Sequence, residues 1–215
     1  MEVYVKGKPE TGTLLDCPFS HKVLLTMALK GVEAERKYID LSVPRPDWYL
    51  KLNPAGSVPA LVDGDKIIGD SGEIIQHLEA KKPEPSLKSA SGPVAPGFLK
   101  GMAQFIMAPD AAVEEKKAAF VAEAQAANDF LAAQDGPFFG GKALNEVDCD
   151  LGPKIYHAVT ALKHFREFEL PDSMPALKAY LPAFKETEAF KATDYGEAAI
   201  IAGWQSKFDG RNDPK

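Results

Sequence analysis

The chain has 215 residues, which is enough for one large domain or two small ones. Hydrophobic residues make up 45% of it and charged residues 26%, the balance of an ordinary soluble globular protein. A formal net charge of −6 and the lack of a long Lys/Arg block argue against a nucleic-acid partner.

The first eighty residues alternate strand and helix patterns. The predicted elements are, in order, a strand at 2–6, a helix at 18–30, a strand at 35–40, a helical turn at 47–51, strands at 58–62 and 66–68, and a helix capped by Ser71. The order βαβαββα predicts a mixed four-stranded sheet with helices on its faces. Because Pro59 cannot donate a backbone hydrogen bond to a neighbouring strand, a cis Val58–Pro59 bond is expected at the start of the strand predicted at 58–62.

Residues 83–97 are rich in Pro, Ser and Gly and predict a linker. The helices predicted beyond it are 98–108, 111–134, one opened by the cap pair Asn145 and Asp148, 175–185, and 195–202, which Gly203 ends. We therefore predict an α/β domain at residues 1–82 and an all-helical domain at residues 98–215.

The two cysteines, Cys17 and Cys149, are far apart and have neither CxxC nor metal-site spacing. Such usage argues against a disulfide-stapled secreted domain and for a reduced intracellular setting. No apolar run approaches the roughly 18 residues of a spanning helix, and no signal peptide precedes the first strand. We expect no membrane partner and a cytoplasmic location, with a plastid form whose transit peptide has been removed as the open alternative.

The stretch from Asp16 to Ser20 joins the first predicted strand to the first helix. Proline is favoured at the first helical position, so Pro18 is expected to open the helix and Cys17 to be its N-cap. A thiol there faces free backbone N–H groups and the positive end of the helix dipole, both of which favour the thiolate. The alternative is a small, buried and inert cysteine. Since Ser20 stands where a CxxC motif has its second cysteine, disulfide chemistry would need an outside thiol.

These features resemble the glutathione transferase superfamily, whose N-terminal half is thioredoxin-like and whose C-terminal domain is all-helical. Within the superfamily, the sequence is most similar to the plant-type dehydroascorbate reductases, over essentially the whole chain. The segments that carry the resemblance are Asp16-Cys17-Pro18-Phe19-Ser20, Pro46-Asp47-Trp48-Tyr49-Leu50, Gly56-Ser57-Val58-Pro59, Asp70-Ser71, Asp135-Gly136-Pro137-Phe138, Pro153-Lys154-Ile155-Tyr156-His157 and Gly203-Trp204.

The resemblance implies an enzyme that regenerates ascorbate from dehydroascorbate in a cleft between the two domains. Cys17 would be the nucleophile and would pass through a mixed disulfide with glutathione, which a second glutathione resolves. Glutathione would be a co-substrate, no cofactor would be bound permanently, and no metal would be required. The resemblance also implies a monomer.

Two sets of binding residues follow from the resemblance. The residues implied for dehydroascorbate are Lys6, Asp16, His157 and Trp204. The residues implied for glutathione are Lys6, Asp16, Phe19, Arg45, Val58, Pro59, Asp70 and Ser71. Lys8 competes with Lys6 for the same role, and Arg45 stands where these reductases usually carry lysine. Without the resemblance, the expected alternatives are a solvated strand end for Lys6, a structural or solvated side chain for His157 and core packing for Trp204.

Two other functions are compatible with the same motifs. An omega-like thioltransferase would use Cys17 to remove glutathione from protein mixed disulfides. A relative of the intracellular chloride-channel proteins would have no enzymatic role and would insert a helix into lipid. The second is disfavoured because the predicted helix at 18–30 is short and carries His21, Lys22 and Lys30.

Overall fold

The computed structural model describes the backbone of residues 1–212 and the side chains of residues 1–210. The chain folds into two compact units. The first contains Met1–Leu87 and Glu188–Tyr195, and the second contains Lys88–Thr187 and, among the described residues, 196–212. The segment Glu188–Tyr195 thus belongs to the unit formed by the N-terminal part of the chain, whereas the sequence places it in the helical domain.

The secondary structure comprises short strands near the N-terminus and helices throughout. The strands are β1 (Glu2–Lys8), β2 (Thr13–Leu14), β3 (Glu35–Ile39), β4 (Ala60–Asp63) and β5 (Lys66–Ile68). The helices are α1 (Pro18–Lys30), α2 (Asp47–Leu52), α3 (Ser71–Lys81), α4 (Phe98–Ile106), α5 (Val113–Ala132), α6 (Glu146–Arg166), α7 (Pro175–Lys185), α8 (Glu188–Lys191) and α9 (Glu197–Asn212), with a 3-10 turn at Asp110–Ala112.

The sheet of the first unit is built around β1. This strand runs parallel to β3 and antiparallel to β4, which in turn pairs antiparallel with β5. β2 pairs with the far end of β1, where Gly7 lies opposite Leu14. The sheet of the described chain therefore has five strands, and the prediction of four is wrong. Two residues are too few to show the alternation by which a strand is predicted.

The two faces of β1 bury different sets of side chains, because successive residues of a strand point to opposite sides. Val3 and Val5 are fully buried and pack with Leu24 of α1. Tyr4 points the other way into a second cluster that includes Cys17. Burying one such aliphatic side chain stabilises a fold by about 1.5–3 kcal/mol. The loop that carries Cys17 is thus held against the sheet by packing.

A buried ion pair joins α1 to α3. Lys30 Nζ lies 2.6 Å from Glu79 Oε2, with the lysine side chain fully buried. Lys30 also donates to the carbonyl of Pro85 at 2.8 Å, and Glu79 accepts from the Ser86 hydroxyl at 3.0 Å. Burial alone would raise the pKa of Glu79, but the bonds from Lys30 and Ser86 outweigh it and the pKa is lowered. The pair thereby fixes the chain that leaves α3.

The returning segment that contains α8 is attached to α1 through His21, which is fully buried. His21 Nε2 lies 3.0 Å from the hydroxyl oxygen of Thr193, and that hydroxyl donates to the carbonyl of Ala189 at 2.8 Å. Because the hydroxyl proton is used on Ala189, Thr193 accepts from His21, and Nε2 is the protonated ring nitrogen. The rings of Phe190 and Tyr195 pack on the imidazole at centroid distances of 5.5 and 5.0 Å.

The second unit contains α4–α7 and α9, and side-chain hydrogen bonds cap the start of α6. Asn145 Oδ1 accepts from Val147 N at 2.8 Å, and Asp148 Oδ2 accepts from Asn145 N at 2.9 Å. The predicted cap pair is confirmed as a reciprocal capping box. Asp148 also accepts from the backbone N–H groups of Phe139 and Gly140, each at 2.9 Å. Burial nevertheless raises the pKa of Asp148, and these bonds offset it only in part.

The last helix differs from its prediction. The range 195–202, ended by Gly203, is wrong at both ends: α9 begins after Gly196, whose φ is +79°, and continues through Gly203 to Asn212. A glycine inside a helix costs only about 1 kcal/mol relative to alanine. Burial of the neighbouring Trp204, which is 4% exposed, is large enough to offset that cost.

Two observations concern only the described part of the chain, residues 1–212. None of its helices combines the length and the apolar character that crossing a bilayer requires. No group of three or more His, Cys, Asp or Glu side chains within it is arranged to hold a metal ion.

Candidate active site

Cys17 occupies the N-cap of α1, as the sequence predicts. Its backbone is extended (φ −154°, ψ 108°), and Pro18 is the first helical residue. The Sγ atom accepts a hydrogen bond from the backbone N–H of Ser20 at 3.4 Å, so the sulfur lies at the positive end of the helix dipole. Cys17 is 9% exposed, and the neighbouring Phe19 is 43% exposed. The sulfur thus caps the first turn of α1 and is largely shielded from solvent.

Lys6 and Asp16 form an ion pair next to Cys17 in the chain. Lys6 Nζ lies 2.6 Å from Asp16 Oδ1; Asp16 is 8% exposed and the lysine side chain 21% exposed. The backbone N–H of Lys6 also donates to the Ser20 hydroxyl at 3.4 Å, which ties β1 to the first turn of α1. The cation of Lys6 therefore offsets the charge that Asp16 adds beside the thiol.

Lys8, the competing candidate, has different surroundings. It is exposed, and its charge interacts with the carboxylate of Asp40. The pKa of Asp40 is lowered mainly by hydrogen bonds from Ser42 and further by the charge of Lys8. Of the two lysines, Lys6 is the one that contacts Asp16.

The Val58–Pro59 peptide bond is cis, which confirms its prediction. The carbonyl of Ser57 accepts from the Tyr49 hydroxyl at 2.5 Å, which fixes the loop just before this bond. Val58 belongs to the same buried cluster as Cys17. β4 begins two residues later, so the Val58 backbone stands outside the strand ladders of the described chain.

The start of α3 is capped by Asp70. Asp70 Oδ1 accepts from Gly72 N at 2.8 Å and from Glu73 N at 3.0 Å. The prediction that Ser71 caps this helix is wrong, because Ser71 is its first residue and the aspartate just before it, an equally good cap, satisfies the orphan N–H groups. Both bonds use one oxygen of an exposed carboxylate, so Asp70 Oδ2 takes part in neither of them.

Arg45 ties two loops of the first unit together. Its Nη1 donates to the carbonyls of Leu41 and Val43, at 3.1 and 2.6 Å, and its Nε donates to the carbonyl of Gly56 at 3.2 Å. The guanidinium is planar and presents its donors in a fixed fork. With Nη1 and Nε used in this way, Nη2 is the part of Arg45 suited to an added carboxylate.

His157 and Trp204, the remaining predicted residues, belong to the second unit. His157 lies on α6 and Trp204 on α9, two helices that contact each other, and they are 3% and 4% exposed. Lys207 Nζ lies 3.9 Å from the centre of the Trp204 ring, a cation–π contact that the sequence does not predict.

Comparison with known proteins places the chain in a family. A family model described as the N-terminal domain of glutathione S-transferase matches residues 16–81. The chloroplastic glutathione S-transferase DHAR3 of Arabidopsis thaliana is 35% identical over 98% of this chain and 81% of its own length. The probable cytosolic glutathione S-transferase DHAR1 of Oryza sativa subsp. japonica is 38% identical over 96% of this chain and 98% of its own. A crystal structure of Chlamydomonas reinhardtii dehydroascorbate reductase is 40% identical, with a TM-score of 0.90 over 95% of this chain and 97% of that one. The chain belongs to the dehydroascorbate reductase family of glutathione transferases.

Membership in the dehydroascorbate reductase family confirms both the family and the fold class predicted from the sequence. The predicted class is α/β plus all-α, in which a thioredoxin-like N-terminal domain precedes an all-helical one. Within this chain, the segment Glu188–Tyr195 belongs to the first unit, although most of the helical unit precedes it in the sequence.

Ser20 also contacts the site, although it is not among the site residues predicted from the sequence. Its N–H donates to Cys17 Sγ, and its hydroxyl accepts from the backbone of Lys6. The first bond could be predicted, because the third residue of a helix normally donates to the N-cap side chain. The second bond needs the position of β1, which no local pattern gives.

Proposed function

We propose that this protein reduces dehydroascorbate to ascorbate with two molecules of glutathione, and that Cys17 is its one catalytic thiol. The position of the Cys17 sulfur at the N-terminus of α1 is the observation that supports this most, because only a stabilised thiolate can perform the chemistry. The 40% identity to a dehydroascorbate reductase over nearly the whole chain supports the choice of substrate.

The reaction uses one protein sulfur twice. The Cys17 thiolate adds to a carbonyl carbon of dehydroascorbate, which forms a C–S bond. The first glutathione thiolate then attacks Sγ, an S–S bond forms, and the electron pair of the broken C–S bond stays on the carbon fragment, which leaves as ascorbate. A second glutathione attacks the mixed disulfide, and glutathione disulfide and the Cys17 thiolate are released. Two protons lost by the glutathione thiols balance those gained by the substrate oxygens.

Lys6 and Asp16 are proposed to act on the substrate side of the sulfur. The ammonium of Lys6 stabilises the oxygen charge that develops when the thiolate adds to a carbonyl. Asp16 accepts hydrogen bonds from substrate hydroxyls or relays their protons. His157 and Trp204 are proposed to contact dehydroascorbate from the helical unit, a role that rests on the resemblance alone.

Glutathione is proposed to bind along the first unit. The N–H and hydroxyl of Ser71 suit the γ-glutamyl carboxylate, and Asp70 Oδ2 suits the neighbouring ammonium. The backbone of Val58, held by the cis bond to Pro59, pairs with the cysteinyl amide in the manner of an added strand. The Nη2 group of Arg45 suits the glycyl carboxylate, and Phe19 covers the thiol end.

A comparison of two cysteine variants tests the proposal. Cys17→Ser is expected to abolish glutathione-dependent dehydroascorbate reduction, because a hydroxyl neither ionises at neutral pH nor forms a disulfide. Cys149→Ser is the matched control and should keep the activity, since Cys149 is fully buried in the second unit. Retention of activity by Cys17→Ser would refute the mechanism.

The substrate needs a separate test against the omega-like alternative. We would measure glutathione release from a glutathionylated peptide beside dehydroascorbate reduction by the same preparation. A kcat/KM that is higher for dehydroascorbate supports the proposal, whereas reduction of the peptide alone identifies a thioltransferase.

The remaining proposals concern the state of the protein in the cell. We propose a monomer with no permanently bound cofactor, which light scattering and the absorbance spectrum of the purified protein would test. We propose a cytoplasmic location. Because the relatives include both chloroplastic and cytosolic proteins, fractionation of cells that express the native gene is the required measurement.

A further inference from the structure

Two buried side chains of the first unit converge on the carbonyl oxygen of Ser57. The hydroxyl of Tyr49 donates to this oxygen at 2.5 Å, and Asn53 Nδ2 donates to it at 2.8 Å. Tyr49 is fully buried and Asn53 is 6% exposed. A carbonyl oxygen has two lone pairs, so the two bonds use its whole capacity as an acceptor. Tyr49, Asn53 and the Ser57 carbonyl are together called the Ser57 clamp below.

The Ser57 clamp fixes the direction of a backbone N–H group. The peptide bond between Ser57 and Val58 is trans, unlike the bond that follows it. In a planar trans peptide group the N–H points opposite to the carbonyl. Because the Ser57 carbonyl points towards the two buried donors, the N–H of Val58 points away from them. This N–H is the donor through which a ligand would be added to Val58 in the manner of a strand.

Asn53 also contacts the loop that leads into α3. A Cβ atom added to Gly69 would lie 3.0 Å from Asn53 Oδ1, which is tighter than an ordinary contact. Gly69 directly precedes Asp70, the N-cap of α3. The backbone of Asn53 is itself anchored, because its carbonyl accepts from the N–H of Gly56 at 2.8 Å. One amide side chain therefore meets both backbone segments to which glutathione is proposed to bind.

The ring and the hydroxyl of Tyr49 have separate partners. The ring packs on those of Tyr4 and Trp48, at centroid distances of 5.6 and 5.7 Å. This packing needs no hydroxyl, whereas the bond to the Ser57 carbonyl does. A phenylalanine at position 49 would therefore keep the packing of the first unit and lose only its part of the clamp.

We propose that Tyr49 and Asn53 are positioning residues for glutathione, which hold the N–H of Val58 and the start of α3 where one tripeptide can reach both. This inference rests on the proposed function, since it assumes that glutathione is the reductant. Geometry of this kind matters because a misplacement of about 1 Å can cost roughly 100-fold in rate. The clamp also gives a basis for thiol selectivity. A thiol without peptide groups, such as 2-mercaptoethanol, makes no use of the Val58 backbone and is independent of the clamp.

A comparison of two reductants tests the proposal. The double variant Tyr49→Phe/Asn53→Leu removes both donors of the clamp and keeps similar side-chain volumes. Its kcat/KM for glutathione should fall at least tenfold, while its kcat/KM for 2-mercaptoethanol should stay within twofold of the wild type. Tyr4→Phe is the matched control and should change neither value, because it removes a buried hydroxyl that bonds to Glu2 instead, at 2.7 Å. Equal effects of the double variant on the two thiols would overturn the proposal.

A binding measurement separates this inference from the proposed reaction, because it needs no turnover. Glutathione is titrated by calorimetry into the full chain carrying Cys17→Ser, with and without the two clamp substitutions. The substitutions should weaken glutathione binding at least tenfold. Equal affinities, or a parent that binds no glutathione, would overturn the inference. A wild type that does not reduce dehydroascorbate would instead refute the proposed function, and the titration would still decide the role of the clamp.

Asn53→Asp serves in case the double variant fails to fold, which circular dichroism would reveal. The aspartate keeps the shape of the amide but replaces its donor with an acceptor, which faces the Ser57 carbonyl. It should weaken glutathione binding several-fold and leave the rate with 2-mercaptoethanol unchanged. Unaltered glutathione binding by this variant would contradict the positioning role.

Discussion

The ion pair between Lys6 and Asp16 offers a quantitative test of how the site supports the Cys17 thiolate. At an effective dielectric constant of about 20, two unit charges 2.6 Å apart attract each other by about 6 kcal/mol. Loss of hydration offsets most of this attraction, because Asp16 is 8% exposed and the lysine side chain 21% exposed. We therefore expect about 2 kcal/mol of coupling between the two side chains, which corresponds to a roughly 30-fold effect on a rate.

The perturbation is a double-mutant cycle of Lys6→Met and Asp16→Asn in a Cys149→Ser background. Lys6→Met leaves the carboxylate of Asp16 beside the thiol without this cation, so kcat/KM for dehydroascorbate should fall about 30-fold. In the double variant the carboxylate is also neutralised, and part of the loss should be recovered. The alkylation rate of Cys17 by iodoacetamide at neutral pH reports the thiolate directly. It should be highest in the Cys149→Ser background, lower in the double variant and lowest in Lys6→Met.

Additivity is the result that would refute this reasoning. If the loss in the double variant equals the product of the two single losses, both in kcat/KM and in the alkylation rate, the pair does not act as a unit. The free energy of unfolding of each variant, measured with urea, serves as the control, because a general loss of stability would lower activity without any specific coupling.

Three further predictions concern the framework of the site. Glu79→Gln should lower the free energy of unfolding by about 3 kcal/mol at neutral pH, because it leaves the buried ammonium of Lys30 without its counter-charge. The pKa of Glu79 is lowered from its ordinary 4.5, so the wild-type ion pair stabilises the fold fully above pH 4.5 and less as the pH falls through the lowered pKa. The free energies of unfolding of the wild type and Glu79→Gln, measured with urea, should therefore differ less in acid than at neutral pH. Thr193→Val keeps the side-chain shape but removes the acceptor of the buried His21 N–H, and should cost about 1–3 kcal/mol in the same assay, whereas no change would show that another group satisfies the ring. Asn145→Ala should lower the melting temperature through loss of about 1 kcal/mol of capping energy, and an unchanged value would mean that the cap does not limit stability.

Features of the site that arise within a few residues of the chain could be predicted from the sequence. The N-cap position of Cys17 follows from Pro18 beside it, and the capping box of Asn145 and Asp148 follows from their spacing. Local rules failed where two good candidates were adjacent, because Asp70 and Ser71 can both cap a helix and only the path of the backbone decides between them.

Features that join distant parts of the chain could not be predicted. The contact between Lys6 and Asp16 depends on how the loop after β1 folds back over the strand. The burial of His21 depends on Thr193, and no periodicity within α1 indicates that its partner lies so far along the chain. The continuation of α9 through Gly203 coincides with the burial of Trp204, which a local stop signal does not indicate.

The first unit is formed by two separate stretches of the chain, Met1–Leu87 and Glu188–Tyr195, so it cannot be completed until the second stretch has been synthesised. During synthesis, α1 leaves the ribosome long before Thr193, which is 172 residues beyond His21, so the imidazole of His21 lacks this acceptor until that later segment has been made. Contacts over such separations form late and slowly. A fragment that stops at Leu87 is expected to expose an apolar strip of α1 and to aggregate. Fusing residues 188–195 to its end through a flexible tether should restore its solubility.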